Sequence, residues 1–161
     1  MSAGKILVYD EAGNFLLKLT GDVRVTLCGT LNRHMDTIFG SQAVNQVVID
    51  MLEAECLDST TLGVLAKLAL HCRSEYDINV QIFCHHPSIL RTLLCMGFDD
   101  IFDIHDEVPV CEGEVTHLDT VTPEVDETRR QVLEAHKTLV QLRPENNDQF
   151  IDLIHALEAS T

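Results

Sequence analysis

Apolar positions along the chain fall into blocks whose period changes. Ile6 to Tyr9 and Phe15 to Leu19 form two short apolar runs separated by a polar segment, in which Gly13-Asn14 supplies the backbone freedom of a hairpin. After Gly21-Asp22, the residues Val23, Val25 and Leu27 alternate with Arg24 and Thr26, the period of a half-exposed strand. The pattern therefore predicts an opening antiparallel meander. Leu31, Met35, Ile38 and Phe39 then recur at helical spacing up to Gly40, and Gln46 to Met51 reads as a central strand.

The next block is the most apolar. From Ser59 to Arg73 one stripe carries Leu62, Leu65, Ala66 and Ala69, and its neighbour carries Val64 and Leu68. A helix apolar around so much of its girth must be covered on more than one side, by the sheet and by another helix or a partner. Asn79 to Phe83 predicts a strand. Pro87 opens a further helix with Ile89, Leu90, Leu93 and Leu94 on one face and Gly97 as a left-handed cap, and Ile101 to Ile104 is a last short strand. Strands alternating with helices indicate an α/β fold, a mixed sheet covered by helices with right-handed crossovers between its parallel members.

Residues 105–128 contain acids but no Lys or Arg, which marks a boundary. The expected organisation is a main domain over residues 1–106, an acidic connector over 107–121 and a C-terminal helical extension over 122–161. In the extension, Thr122-Pro123 predicts a helix start, and Val125, Val132, Leu133, His136, Leu139 and Val140 form a stripe that ends before Pro144. A second helix is expected from near Asn147, with Phe150, Ile151, Ile154 and Leu157 on one side. Two such stripes must bury against something, and a helical hairpin packed on the main domain is the expected arrangement.

Composition narrows the function. The 161 residues hold 11 Lys and Arg against 26 Asp and Glu, a net charge of −15, with aromatics at 5% and no Trp. Phosphate backbones and anionic headgroups would be repelled and no aromatic platform for bases exists, so neither nucleic-acid binding nor direct membrane insertion is expected. The N-terminus has no secretory pattern and no run reaches membrane-spanning length, so the expected location is cytoplasmic. Six cysteines form no CxxC pair and read mostly as buried reduced thiols. His71-Cys72, Cys84-His85-His86 and His105 match no zinc frame, so no metal and no cofactor is expected. No Gly-rich loop with a following Lys-Ser/Thr is present, so the chain reads as a kinase substrate and not as the kinase, and no catalytic role of its own is expected.

One short stretch remains, Asp58-Ser59-Thr60-Thr61-Leu62-Gly63, between a buried strand and the apolar helix. A helix cap accounts for one oxygen-bearing side chain there, not four. The segment from Val47 through Leu68 resembles the signature region of STAS domains of the anti-sigma factor antagonist family, where a buried strand leads to Asp-Ser-(Ser/Thr)-Gly-Leu-Gly and a helix. The likeness extends to Asn79–Phe83, to Ser88–Ile104 and back to Cys28-Gly29-Thr30-Leu31-Asn32, and covers residues 14–105. Thr61 stands where the motif has its first Gly, and Asn32 where the earlier turn has an acid.

The resemblance implies a STAS-like mixed sheet covered by helices, to which the apolar stripes beyond residue 121 add a C-terminal helical hairpin. It implies phosphorylation at Ser59, with Thr60 and Thr61 as secondary candidates, and a partner-binding surface of Asp58, Ser59, Thr60, Thr61, Leu62 and Asn32. The implied partners are an anti-sigma factor, bound when Ser59 is unmodified and released when it is phosphorylated, and a serine kinase and phosphatase acting on Ser59. The alternative implied by the same fold is a STAS regulatory subunit of a membrane lipid transporter, docked on its ATPase.

Overall fold

The computed structural model describes residues 3–40, 43–106, 116–117 and 124–159. Strands β1 (Lys5–Glu11) and β2 (Asn14–Val23) pair antiparallel with Glu11 opposite Asn14. The turn is therefore Ala12-Gly13, at φ 53° and 85°, the left-handed pair that a two-residue hairpin requires. Beside β2 lies β3 (Gln46–Asp50), parallel to it, followed outward by β5 (Val80–Phe83) and β6 (Phe102–His105). The short β7 (Thr116–His117) pairs with β1, giving the order β6-β5-β3-β2-β1-β7. Strand β4 (Ala54–Leu57) leaves this path and pairs with the end of β2, past a register shift at Gly21, whose φ is 71°.

Helices α1 (Cys28–Phe39), α2 (Ser59–Tyr76) and α3 (Pro87–Cys95) connect the strands, and α4 (Val125–Leu142) and α5 (Pro144–Ala159) close the chain. One continuous core joins Leu17 and Leu19 of β2 and Ile49 of β3 to Leu31 and Ile38 of α1, Leu65 and Leu68 of α2, Leu139 of α4 and Phe150 and Ile154 of α5. The alternate positions Leu16 and Val48, with Phe83, make a smaller cluster on the opposite sheet face. The C-terminal hairpin is thus part of the main core, and its apolar stripes are buried against the chain itself.

Four local expectations change. Val23–Leu27 is not a third strand: Val23 ends β2 and Val25–Leu27 forms a 3₁₀ turn. The Val25 amide donates to Asp58 Oδ2 at 2.7 Å and the Leu27 amide to the Arg24 carbonyl at 2.9 Å, which takes both donors out of any ladder. The opening is accordingly a hairpin, not a meander. Helix α5 begins at Pro144, where proline suits a first turn, and not near Asn147. Val125 is 75% exposed and outside the buried face of α4, which consists of Gln131, Ala135, His136, Thr138 and Leu139. Leu94 of α3 is 43% exposed, leaving Ile89 and Leu93 as that helix's buried residues. The expected start at Thr122-Pro123 lies outside the described residues, as does Cys111.

Candidate phosphoacceptor and docking site

The site is assembled at the N-terminus of α2. Asp58 is the N-cap: its Oδ1 accepts from the Thr61 amide at 2.8 Å and from the Thr61 hydroxyl at 2.8 Å, while Oδ2 holds the Val25 amide. One carboxylate therefore caps the helix and fixes the turn that follows β2, and its negative charge sits at the favourable end of the helix dipole.

The three hydroxyls divide by direction. Thr61 is fully buried and also donates toward the Val23 carbonyl at 3.4 Å, with Cys28 Sγ at 3.6 Å. Burial pushes the Cys28 thiol up to about 12, against a smaller opposing pull from its Thr61 contact, so it packs here as a neutral thiol. Thr60 is 6% exposed. Ser59 alone stays half-buried, at the first position of the helix. Thr61, in the place of a motif glycine, is thus accommodated by turning its hydroxyl inward onto the cap.

Ser59 is not facing open solvent. Its Oγ lies 2.8 Å from Nε2 of His136, on α4, a ring only 1% exposed. His136 Nδ1 is 2.7 Å from the Val132 carbonyl, which can only accept. In the neutral imidazole Nδ1 therefore carries the proton, Nε2 is an acceptor, and the Ser59 hydroxyl donates to it. Phe150 of α5 meets the same ring edge-on at 5.0 Å.

Two further contacts hold α4 on this face. A Cβ on Gly63 would lie 2.2 Å from the Ala135 carbonyl oxygen, so the helices touch backbone to side-chain-free backbone and only glycine fits. Lys67 Nζ pairs with Glu134 Oε2 at 2.8 Å, and Arg130 reaches the other oxygen of Glu134 at 2.6 Å. Burial raises the Glu134 carboxyl, but Lys67 and Arg130 outweigh it and hold the group below the usual carboxylate range. The hairpin's corner is pinned elsewhere: Asn146, 3% exposed, donates to the Met96 and Leu139 carbonyls at 3.1 and 2.7 Å, and Arg143 reaches Asp99 at 3.3 Å.

With this geometry in place, comparison with known proteins is direct. A STAS domain family model matches residues 5–110. The chain belongs to the STAS domain family. Among solved structures it is similar to the anti-sigma factor antagonist SpoIIAA in its unphosphorylated form, with a TM-score of 0.54 at 10% identity over 64% of this chain and 89% of that one. An anti-sigma factor antagonist from Mycobacterium paratuberculosis gives 0.55 at 18% identity over 66% and 88%. At such identities the likeness is one of fold. No curated protein matches the chain significantly. Helices α4 and α5 lie beyond the residues matched to the STAS family.

Of the six residues that sequence places on the docking surface of this STAS domain, Asp58, Ser59 and Asn32 are half-buried, while Thr60, Thr61 and Leu62 are buried. Asn32 spends its side-chain amide on the Cys28 carbonyl at 3.0 Å and lies beside Lys67 and Glu134 in a groove where α1, α2 and α4 meet. Of the candidate ligand histidines, His71 lies against Phe39 at 4.0 Å, His105 stacks on Phe83 at 5.0 Å, and the exposed His86 caps α3 through Nδ1, which accepts from the Ser88 amide; Cys72 and Cys84 are buried. His136, Glu134 and Lys67 were not singled out as site residues. His136 did stand out as the one histidine in an apolar stripe, but its serine partner lies 77 residues away.

Proposed function

We propose that this STAS protein is an anti-sigma factor antagonist of a bacterial partner-switching pathway, without catalytic activity of its own. Unmodified, it binds and sequesters an anti-sigma factor through the N-terminal end of α2. A serine kinase phosphorylates Ser59 in the cytoplasm and breaks the complex, and a phosphatase restores it. The observation that carries this reading is the division of the three hydroxyls: Thr60 and Thr61 are buried, and Ser59 alone sits at the helix start with partial exposure. The two antagonists of known structure support it by fold.

The physics of the switch is local. A phosphoryl group adds about −1.5 to −2 charge at neutral pH and three acceptor oxygens. The dipole of α2 favours that charge by roughly 0.3 to 1 kcal/mol, which offsets part of the lost Ser59–His136 bond. An interface that must bury the charge unpaired loses on the order of 2 to 5 kcal/mol. Binding fails before folding does.

Treatment with the cognate kinase, followed by mass-spectrometric mapping, tests the acceptor. Phosphate is expected on Ser59, and Ser59→Ala should remain unmodified. Full phosphorylation of Ser59→Ala on Thr60 or Thr61 would remove the basis of the proposal.

A further inference from the structure

The face of α2 that carries Ser59 is closed by the chain's own α4, so a partner cannot reach it in this conformation without moving that helix. We propose that α4 stands in the place of a partner's helix: this face of α2 is a helix-receiving surface, and the partner presents an amphipathic helix that displaces α4. Such a helix needs a small residue over Gly63, a carboxylate toward Lys67 and a hydrogen-bond acceptor toward Ser59. The proposal deepens the reading of Ser59 as the regulated contact and rests on it.

Each requirement is read from the occupant in place. Ala135 lies over Gly63 so closely that a Cβ there would meet its carbonyl oxygen at 2.2 Å, which excludes any bulky residue at the crossing. Glu134 supplies the carboxylate to Lys67 at 2.8 Å. His136 Nε2 accepts the Ser59 proton at 2.8 Å. The last contact also couples the surface to the switch. A phosphoryl group on Ser59 Oγ takes the position of that proton, so no acceptor, from α4 or from a partner, can keep the bond.

The occupant is replaceable because its fit is incomplete. The buried face of α4 packs well at His136 and Leu139 but is small or polar at Gln131, Ala135 and Thr138, and Gln131 Oε1 is buried with no hydrogen-bond partner among the described residues. A buried acceptor left unpaired weakens the association that buries it. Beside it a groove of about 340 Å³, lined in part by Asn32, Lys67, Gln131 and Glu134, leaves space along the edge of α4. Tethering compensates, giving α4 an effective concentration on the order of millimolar, so a free helix displaces it only by making better contacts. The anchors at Asn146 and Arg143 hold the C-terminal end of α4, about two turns beyond His136, so displacement starts from the N-terminal end of α4 and must break these bonds to free Ser59.

The test uses the full-length chain with Ala135→Trp, which places an indole where Gly63 leaves no room, and a fluorescent peptide of wild-type residues 124–143 as the probe helix. Amide hydrogen exchange should show α4 released and α2 intact. The peptide should then bind the variant at least about tenfold more tightly than the wild-type chain, and Glu134→Lys in the peptide should weaken it about threefold or more. If Ala135→Trp does not fold, the double variant Glu134→Lys with His136→Ala serves in its place. Equal binding to the wild-type and released chains, with exchange confirming release, overturns the proposal. Phosphoserine at position 59 separates this failure from that of the switch. Loss of peptide binding on phosphorylation supports both, whereas binding to the released chain that phosphoserine leaves unchanged upholds the helix-receiving surface and overturns the role of Ser59.

Discussion

At the scale of single residues, the site rests on two acids and a histidine that divide the work around Ser59. Asp58 spends both carboxylate oxygens inside the fold, so its contribution is to place Ser59, and Glu134 and His136 then set what covers it. Ser59 is in consequence a structural donor as well as the proposed phosphorylation site. Ser59→Ala leaves His136 Nε2 buried without a donor, and orphaned groups of this kind cost about 1 to 3 kcal/mol. Chemical denaturation should show a loss of that size for Ser59→Ala, and the double variant with His136→Ala should lose less than the sum of the two single variants. A loss from the double variant equal to the sum of the two single ones would show that the Ser59–His136 bond contributes nothing. The Asp58–Ser59 dipeptide was legible in the sequence because a cap and an adjacent hydroxyl are local features. The bond to His136 was not, since it depends on where a helix 77 residues later docks.

At the scale of elements, the docking of α4 on α2 turns on one glycine. Gly63 lies inside a helix, where alanine is ordinarily better by about 0.5 to 1 kcal/mol. Here the added Cβ meets backbone, not a movable side chain, at 2.2 Å. Gly63→Ala should therefore lower the thermal midpoint and raise hydrogen exchange across α4, while the amides of α2 stay protected. A midpoint that rises, as helix propensity alone would give, would contradict the close approach.

The period of apolar residues revealed α1, α2 and α3 because each buries an aliphatic face, and it revealed the α5 face through Phe150 and Ile154. It failed where burial is achieved by other means. The stripe of α4 is legible through His136 and Leu139, which are buried, but Gln131, Ala135 and Thr138 on the same buried face carry little apolar signal and escape it. Alternation in Val23–Leu27 mimicked a strand although Asp58, from a distant loop, had claimed the Val25 amide. The four residues of β4 are too few to show a period, and only the bulge at Gly21 lets β2 reach them.

At the scale of the whole molecule, an acidic STAS domain carries its own helical cover, held by the Lys67–Glu134 ion pair at its middle and by Arg143 and the buried amide bonds of Asn146 at its corner. The charge contact has a pH dependence whose sign follows from Glu134. Its carboxyl is held below its ordinary value of 4.5 in the folded chain, so it contributes stability above that value that is lost as pH falls through the lower folded value. Glu134→Gln should accordingly be less stable than the wild type near neutral pH and converge on it in acid. Parallel stability curves across the acid range would refute a contribution from this pair. Because Glu134 is partly exposed, the difference should shrink with added salt.

The central claim is that phosphate on Ser59 decides whether the α2 face accepts its partner. It is tested most directly by calorimetry of the anti-sigma factor, recovered by pull-down with the unmodified chain, against two full-length proteins that differ only in serine or phosphoserine at position 59. The account predicts a dissociation constant raised by roughly thirty-fold to several thousand-fold in the phosphorylated protein, the equivalent of about 2 to 5 kcal/mol. Equal constants for the two proteins would contradict it.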